Sequence, residues 1–367
     1  MTEHLHLVGT WQASNVDPRD ILAQLTRLWK ETAEHELSSG RAVAARTNML
    51  TLVGVAKDEQ LFRLAVRSVE RMSQFHPSRA VFVLWLPEGA RSRVDVEVSA
   101  RCRADRPGVC HEMVLFTVRG YSVLQLQSLL SLFILRDLPA YLWWLISSEE
   151  SLDGLSSLGS TVIIDSALWA NSLQGLVMLQ RRAQVQQVID LAWLRLQPWR
   201  ELIASVFDAP RERRILERCQ EVSVIYGGVQ RSGCWEVFLL LGWLASALQW
   251  RCQAIKWPEA PSDALTVRHG DNEISLRWNY AAQESDVGLQ QILFRADEEQ
   301  AVTIQRHLPN EAIVSVTGGN TRCVALRSVE TSQALSLAFQ QVEHDGAFQR
   351  TARWLISSEQ AIGSVHA

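Results

Sequence analysis

Between Asp190 and Asp208 the chain carries two tryptophans, two arginines and two bounding aspartates within nineteen positions, the most informative run in the sequence. Large aromatic rings beside guanidinium groups suit recognition of another surface better than bond making, because Trp and Arg dominate interface energetics. Trp193 and Arg195 alternate as on an extended segment. Pro198 is placed to open a helix, since its missing N–H would be unpaired there in any case. Trp199, Leu202, Ile203 and Val206 follow at helical spacing and mark an apolar stripe, with Arg200, Glu201 and Ser205 on the polar side. Core packing is the simpler reading of Trp199, Leu202 and Val206 taken singly. Trp193, Arg195, Trp199 and Arg200 together are the candidate partner-binding set. The adjacent Trp143 and Trp144 join them, because neighbours on a strand point to opposite faces and one of the two can look outward.

Other chemistry is sparse. Cys102 and Cys110 lie near His111 and Glu112, but no C-x-x-C or H-x-x-x-H spacing supports a metal. Neither the glycine fingerprint of a dinucleotide site nor a phosphate loop with its lysine occurs, and there is no G-x-S-x-G elbow. His76, Asp137 and Asp165 fall near predicted strand ends, where such residues more often serve as caps or turn residues than as catalysts. No catalytic residue, metal or cofactor is expected. Cys102 and Cys110 flank a turn-rich link between two predicted strands, so antiparallel pairing would bring their Cα atoms within the roughly 6 Å that a disulfide tolerates. Arg101, Arg103 and Arg106 would favour a thiolate there, although a reduced, buried thiol is the commoner state.

The composition narrows the class. The chain has 367 residues, 47% hydrophobic and 21% charged, which is enough for two cores. With 36 basic and 40 acidic residues it has no electrostatic footprint for nucleic acid. The uncharged stretches 120–135 and 237–250 are shorter than the roughly 20 apolar residues of a membrane span. The amino terminus has no basic and apolar leader pattern, and the six cysteines are scattered, so a cytoplasmic protein is expected. Fourteen tryptophans against four tyrosines imply bulky cores or aromatic contact surfaces.

The elements that must position these groups alternate in the first half. Asp17-Pro18 opens a helix; 49–56 is a buried strand; Asp58 caps a helix with an apolar stripe through Met72; His76-Pro77 ends it. Strands follow at 79–86, 94–103 and 112–118, then a helix from Ser122, a strand through Trp144 and another at 161–164. In the second half, 234–250 reads as a helix apolar almost all round. Two hairpins turn at His269–Asn272 and Thr317–Asn320, and two helices close the chain. The expected fold is a mixed α/β sheet domain over 1–168 followed by an α+β domain of antiparallel strands with helices over 169–367.

Six fragments in order resemble one family: Arg46-Thr47-Asn48-Met49, His76-Pro77-Ser78-Arg79, Cys110-His111-Glu112, Asp137-Leu138-Pro139 with Trp143-Trp144, Asp165-Ser166, and Asp190 to Trp193 through Pro198–Glu201 to Asp208. Together they are similar to the glucose-6-phosphate dehydrogenase assembly protein family, OpcA, in its long, tryptophan-rich cyanobacterial form. The resemblance implies a non-catalytic partner that binds glucose-6-phosphate dehydrogenase, favours its active oligomer and raises its activity, and it implies redox control through thioredoxin. It marks Arg46, Asn48, His76, Arg79, Asp137, Asp165, Ser166, Asp190 and Asp208 as motif residues without assigned roles. Cys102 and Cys110 are the redox candidates that local sequence supports, and a longer-range pair involving Cys252 or Cys323 fits the family equally well. The other reading is a sugar-phosphate- or nucleotide-binding enzyme, in which Arg46, Asn48, His76, Arg79 and Asp165 converge at strand ends of the first domain.

Overall fold

A computed structural model describes residues 5–38, 48–73, 75–88, 91–103, 110–146, 152–168, 181–227, 234–252, 265–281, 287–341 and 345–363. Contacts divide the chain into two compact units. The first comprises Met1–Ile164, Val185–Ile189 and Thr331–Gln341, and the second Asp165–Gln184, Asp190–Glu330 and Val342–Ala367. Helices and strands of both kinds give the expected mixture of α/β and α+β architecture.

The first unit is built on strands β1 (Leu5–Ser14), β2 (Leu50–Ala56), β3 (Ser78–Leu86), β4 (Arg93–Arg103), β5 (Cys110–Arg119), β6 (Ala140–Trp144), β7 (Thr161–Ile164) and β8 (Gln187–Asp190). Their order in the sheet is β1-β4-β5-β3-β2-β6-β7-β8. Strands β5, β3, β2, β6 and β7 run parallel, while β4 and β1 are added antiparallel at one edge. All seven residues of β2 are buried, and so are the first eight of β3, which is the unalternating apolar pattern of a sheet covered on both faces. This cover also takes in both Trp143 and Trp144, each 1% exposed, so neither looks outward.

The helices of this unit are α1 (Pro18–Ser38), α2 (Glu59–Met72), α3 (Val123–Ser131) and the short α4 (Leu152–Leu155). Asp58 caps α2, its carboxylate accepting from Leu61 N at 2.9 Å. Ser122 and Gln125 close a reciprocal capping box on α3. A helix from far down the chain, Thr331–Gln340, returns to this unit and packs on α2, with Phe339 edge-on to His76 and Tyr141 at 5.7 and 4.8 Å between ring centroids.

The second unit begins with three consecutive helices, α5 (Leu191–Arg195), α6 (Gln197–Phe207) and α7 (Pro210–Glu217), and continues through β9 (Glu221–Gly227) and α8 (Cys234–Ala247). Its remaining strands are β10 (Arg251–Cys252), β11 (Leu265–His269), β12 (Asn272–Tyr280), β13 (Gly288–Arg295), β14 (Ala301–Leu308), β15 (Glu311–Val316) and β16 (Thr321–Ala325). They form a sheet in the order β10-β11-β12-β9-β13-β14-β15-β16, antiparallel except for the β9–β12 pair. Both expected hairpins, β11–β12 and β15–β16, are present. Burial alternates along β12, β14 and β15, as in a sheet with one covered face. The returning helix of the first unit is α9, and α10 (Gly346–Gly363) lies along α8, where Leu355 fills the space beside Gly242.

Two points depart from the sequence expectation. Trp193 and Arg195 lie on α5 and not on an extended segment, because the Asp190 carboxylate accepts from Ala192 N at 3.1 Å and starts a helical turn. Strands β1, β8, β9, β13 and β14 and helix α7 are not marked by the sequence pattern.

At Gly54 on β2, an added Cβ would lie 2.1 Å from the Phe82 ring of β3, so the ring occupies the place of a side chain. Gly54→Val is expected to lower stability by about 1–3 kcal/mol through overpacking. Phe82→Leu should recover part of the loss, and chemical denaturation of the two single variants and the double variant measures it.

Candidate functional site

The richest set of chemically capable side chains converges on Arg195, the last residue of α5. Its Nη1 and Nη2 donate to Asp165 Oδ2 and Oδ1 at 2.8 and 2.7 Å, and its Nε donates to Glu236 Oε1 on α8 at 2.7 Å. Tyr226 on β9 donates its hydroxyl to the second oxygen of Glu236 at 3.1 Å. Asp165 follows β7 directly, and its neighbour Ser166 donates both its backbone N–H (3.0 Å) and its Oγ (2.6 Å) to Asp190. Three carboxyl groups thus surround one guanidinium, with Asp165 5% exposed and Ser166 and Asp190 each 1% exposed.

The electrostatics follow from that count. Burial opposes the charge on Arg195, but the adjoining Asp165 and Glu236 prevail and hold it firmly protonated. Asp190 is pushed up to about 7, first by burial and then by the negative Asp165, against the hydrogen bonds from Ser166 and the charge of Arg195. Burial and Glu236 raise the Tyr226 hydroxyl well above its ordinary value. A serine hydroxyl on a carboxylate has the components of an activated nucleophile. Here, however, both partners are inside the fold, and each oxygen of Asp190 is engaged in closing α5 or fixing Ser166. The arrangement is an ionic junction that joins chain segments.

The neighbouring aromatic cluster is interior as well. Trp193 is 2% exposed, its Nε1 donates to Asp345 Oδ2 at 2.7 Å, and Phe348 packs against its ring. The Arg200 guanidinium carbon lies 3.5 Å from the Trp193 ring centroid, and burial pulls the Arg200 pKa down to about 10 against the opposing charges of Asp345 and Glu201. Trp199 is 3% exposed, with Arg306 over its ring. The expectation that Trp193, Arg195, Trp199, Arg200, Trp143 and Trp144 form a contact surface therefore gives way to a packing and cross-linking role. The feature that misleads is amphipathic chemistry: Trp and Arg satisfy each other inside the fold as well as they satisfy a partner.

The remaining motif residues divide. Asp208 ends α6 and is exposed, and Asp137 is exposed in the turn before β6. Arg46 lies outside the described residues. Asn48, His76 and Arg79 sit at the amino ends of β2 and β3, whereas Asp165 follows the carboxyl end of β7, so these four described residues do not converge at one end of the sheet. Arg79 instead makes a buried ion pair with Glu112 on β5 at 2.6 Å and donates to the Phe133 carbonyl at 3.2 Å. Sequence reasoning assigns no role to Glu236, Tyr226 or Asp345. A lone acidic residue in the apolar run Cys-Trp-Glu-Val-Phe-Leu-Leu-Leu was the available signal for Glu236.

A second polar set lies along the amino edge of the first sheet. On neighbouring strands β4, β5, β3 and β2, Arg101 Nε, both ring nitrogens of His111, Ser78 Oγ and both amide atoms of Asn48 are buried with no hydrogen-bond partner. Leaving such a group unsatisfied costs about 1–3 kcal/mol. Burial, then the charge of Arg101, pushes His111 down to about 4 and keeps it neutral.

At the turn where a doubly wound sheet receives a dinucleotide, this chain carries a carboxylate-capped helix start. The sheet order reverses between β2 and β6, and the β2–α2 turn there reads Ala56-Lys57-Asp58-Glu59. The Asp58 carboxylate occupies the amino end of α2, and Lys57 stacks over the Trp85 ring at 4.9 Å. A second anion at that helix end would meet a carboxylate already in place. Among the described residues no group of three or more His, Cys, Asp or Glu is placed to hold a metal, and no helix is long and apolar enough to cross a membrane.

The class defined by this geometry is a two-unit chain, with a doubly wound sheet followed by a largely antiparallel one. Its backbone is similar to that of glucose-6-phosphate 1-dehydrogenase from Mycobacterium avium, with a TM-score of 0.50 at 13% identity over 87% of this chain and 92% of that one, a likeness of fold. Residues 69–181 match the family model described as the glucose-6-phosphate dehydrogenase subunit N-terminal domain, and residues 186–352 match the corresponding C-terminal domain. The chain belongs to this family, OpcA. It is 31% identical over 167 residues to the OxPP cycle protein OpcA of Synechocystis sp., covering 43% of this chain, and 25% identical over 193 residues to that of Nostoc punctiforme, covering 50%. The matched stretches span 34% and 41% of those two relatives' own length.

Because the folded Asp190 carboxyl is raised from 3.8 to about 7, the native state holds a proton that the unfolded chain releases. Its contribution to stability is complete below pH 3.8 and is lost as the pH rises through about 7. Asp190→Asn, which cannot ionise, is expected to remove this decline between pH 4 and 7. Denaturant midpoints of wild type and variant across that range measure the difference.

Proposed function

We propose that this chain is a non-catalytic subunit that binds glucose-6-phosphate dehydrogenase, favours its active oligomer and so controls entry into the oxidative pentose phosphate pathway. The observation that carries this reading is the match of both halves of the chain to domains of a glucose-6-phosphate dehydrogenase subunit. The inward engagement of the side chains best equipped for chemistry supports it. So does the carboxylate-capped β2–α2 turn, which places a fixed negative charge where a dehydrogenase of this topology would seat a pyrophosphate. An effector of this kind acts by binding one state of the enzyme better than the other.

The purified chain is expected to turn over no glucose 6-phosphate alone and to raise the rate of the dehydrogenase, most visibly at low substrate. Initial rates over a full substrate range, with and without the chain, measure this, and superimposable curves would exclude it.

Redox control by thioredoxin is part of the proposal, with Cys102 and Cys110 as its site. Cys102 of β4 is the direct cross-strand partner of Cys110 of β5 in the antiparallel register. Cα atoms of such pairs are about 4.5–5.5 Å apart, inside the range a disulfide accepts. Oxidation is expected to join these two residues and thioredoxin to release them, with a parallel change in dehydrogenase activation. Mass mapping of thiols checks it: if both stay free under oxidant while activation changes, the switch lies elsewhere.

A further inference from the structure

The unsatisfied groups at the amino edge of the first sheet are aligned by strand register. Arg101 on β4 stands directly opposite His111 on β5. Arg79 pairs in register with Glu112, so Ser78 on β3 lies beside His111 on its other flank. Leu50 pairs with Ser78, and Asn48, two positions earlier, has both its amide atoms buried at this end of the sheet. Alternation along each strand places Arg79 and Glu112 on the opposite face, where they bind each other. The row therefore runs along one face of three consecutive strands, about 4.8 Å apart, on the side of α2, whose Glu70 accepts from Arg101 Nη2 at 2.8 Å. Ser78 is fully buried and His111 is 1% exposed, while the outer end of Arg101 reaches solvent beside Glu70.

The structure assigns this row as a binding site for a small molecule bearing an oxyanion, a carboxylate or a phosphoryl group, held by Arg101, His111 and Ser78 with its polar remainder towards Asn48. The donor inventory carries the assignment. Arg101 offers its Nε–H, His111 one ring N–H, Ser78 its hydroxyl and Asn48 an amide, so donors outnumber obligatory acceptors, and one donor bears a full positive charge. Such an array suits an acceptor-only, negatively charged group better than a chain of waters, each of which would bring two further hydrogens to be placed. The partly exposed Arg101–Glu70 pair marks the way in. The site lies at the sheet end opposite to that used for dinucleotides in doubly wound folds, and it does not depend on the proposed dehydrogenase partnership.

The test uses the full chain with inorganic phosphate and, separately, acetate as probes, against chloride at equal ionic strength. A saturable rise in thermal midpoint is expected with at least one oxyanion, and the probe that produces it tells phosphoryl from carboxylate. Arg101→Met should raise the half-saturating concentration at least tenfold. In the unaltered protein the His111 imidazole NMR signals should move with the same half-saturation, a readout that needs no variant to fold. Oxyanion effects no greater than those of chloride, or His111 signals that stay fixed throughout the titration, would overturn the assignment and leave the row to buried water.

Discussion

The guanidinium of Arg195 is the constraint on which the second unit depends. It joins a residue that leaves β7, a five-residue helix and the first turn of α8, and through Glu236 it also reaches β9. Burying so many charges is tolerable only because the geometry is bidentate and each oxygen has a donor. Removing one partner from such a group typically costs about 3–5 kcal/mol, since a charge is left behind without compensation. The Asp190–Ser166 contact extends the same logic, because one carboxylate both starts α5 and fixes the segment that carries Asp165.

In that arrangement carboxylates, arginines and aromatic rings of the second unit engage one another inside the fold. Several such groups have a partner from the same chain. Trp193 has Asp345 and Arg200, Arg79 has Glu112, and Lys57 has Trp85. Polar groups satisfied in this way replace part of the apolar core and make its packing more specific.

Much of the fold is legible in the sequence because its signals are local. The unbroken apolar run of β2, the Asp58 cap of α2, the capping box at Ser122, the apolar α8 and both hairpin turns follow from neighbours a few residues apart. What escapes is set by distant partners. Arg195 meets Asp165 thirty positions away and Glu236 forty-one positions away, and nothing local announces either contact. Helix α5 is too short to show a period, and the extended reading fails because a single capping bond decides its conformation. Trp143 and Trp144 are misjudged for a related reason: alternation tells inside from outside only where one face of a sheet is wet.

Helix α9 belongs to the first unit although it lies far beyond that unit's other segments in the sequence. Its Phe339 ring covers Tyr141 and His76, and the Gln341 carbonyl accepts from Gln187. During synthesis at about 5–20 residues per second, roughly eight to thirty-three seconds separate the emergence of β7 from that of α9. For that interval the flank of α2 is an unfinished surface on a growing chain, and the segment between β7 and α9 must be made before it can be closed. The chain order thus sets a clock on biosynthesis, in which the amino-terminal sheet must remain soluble until residues 331–341 have been made.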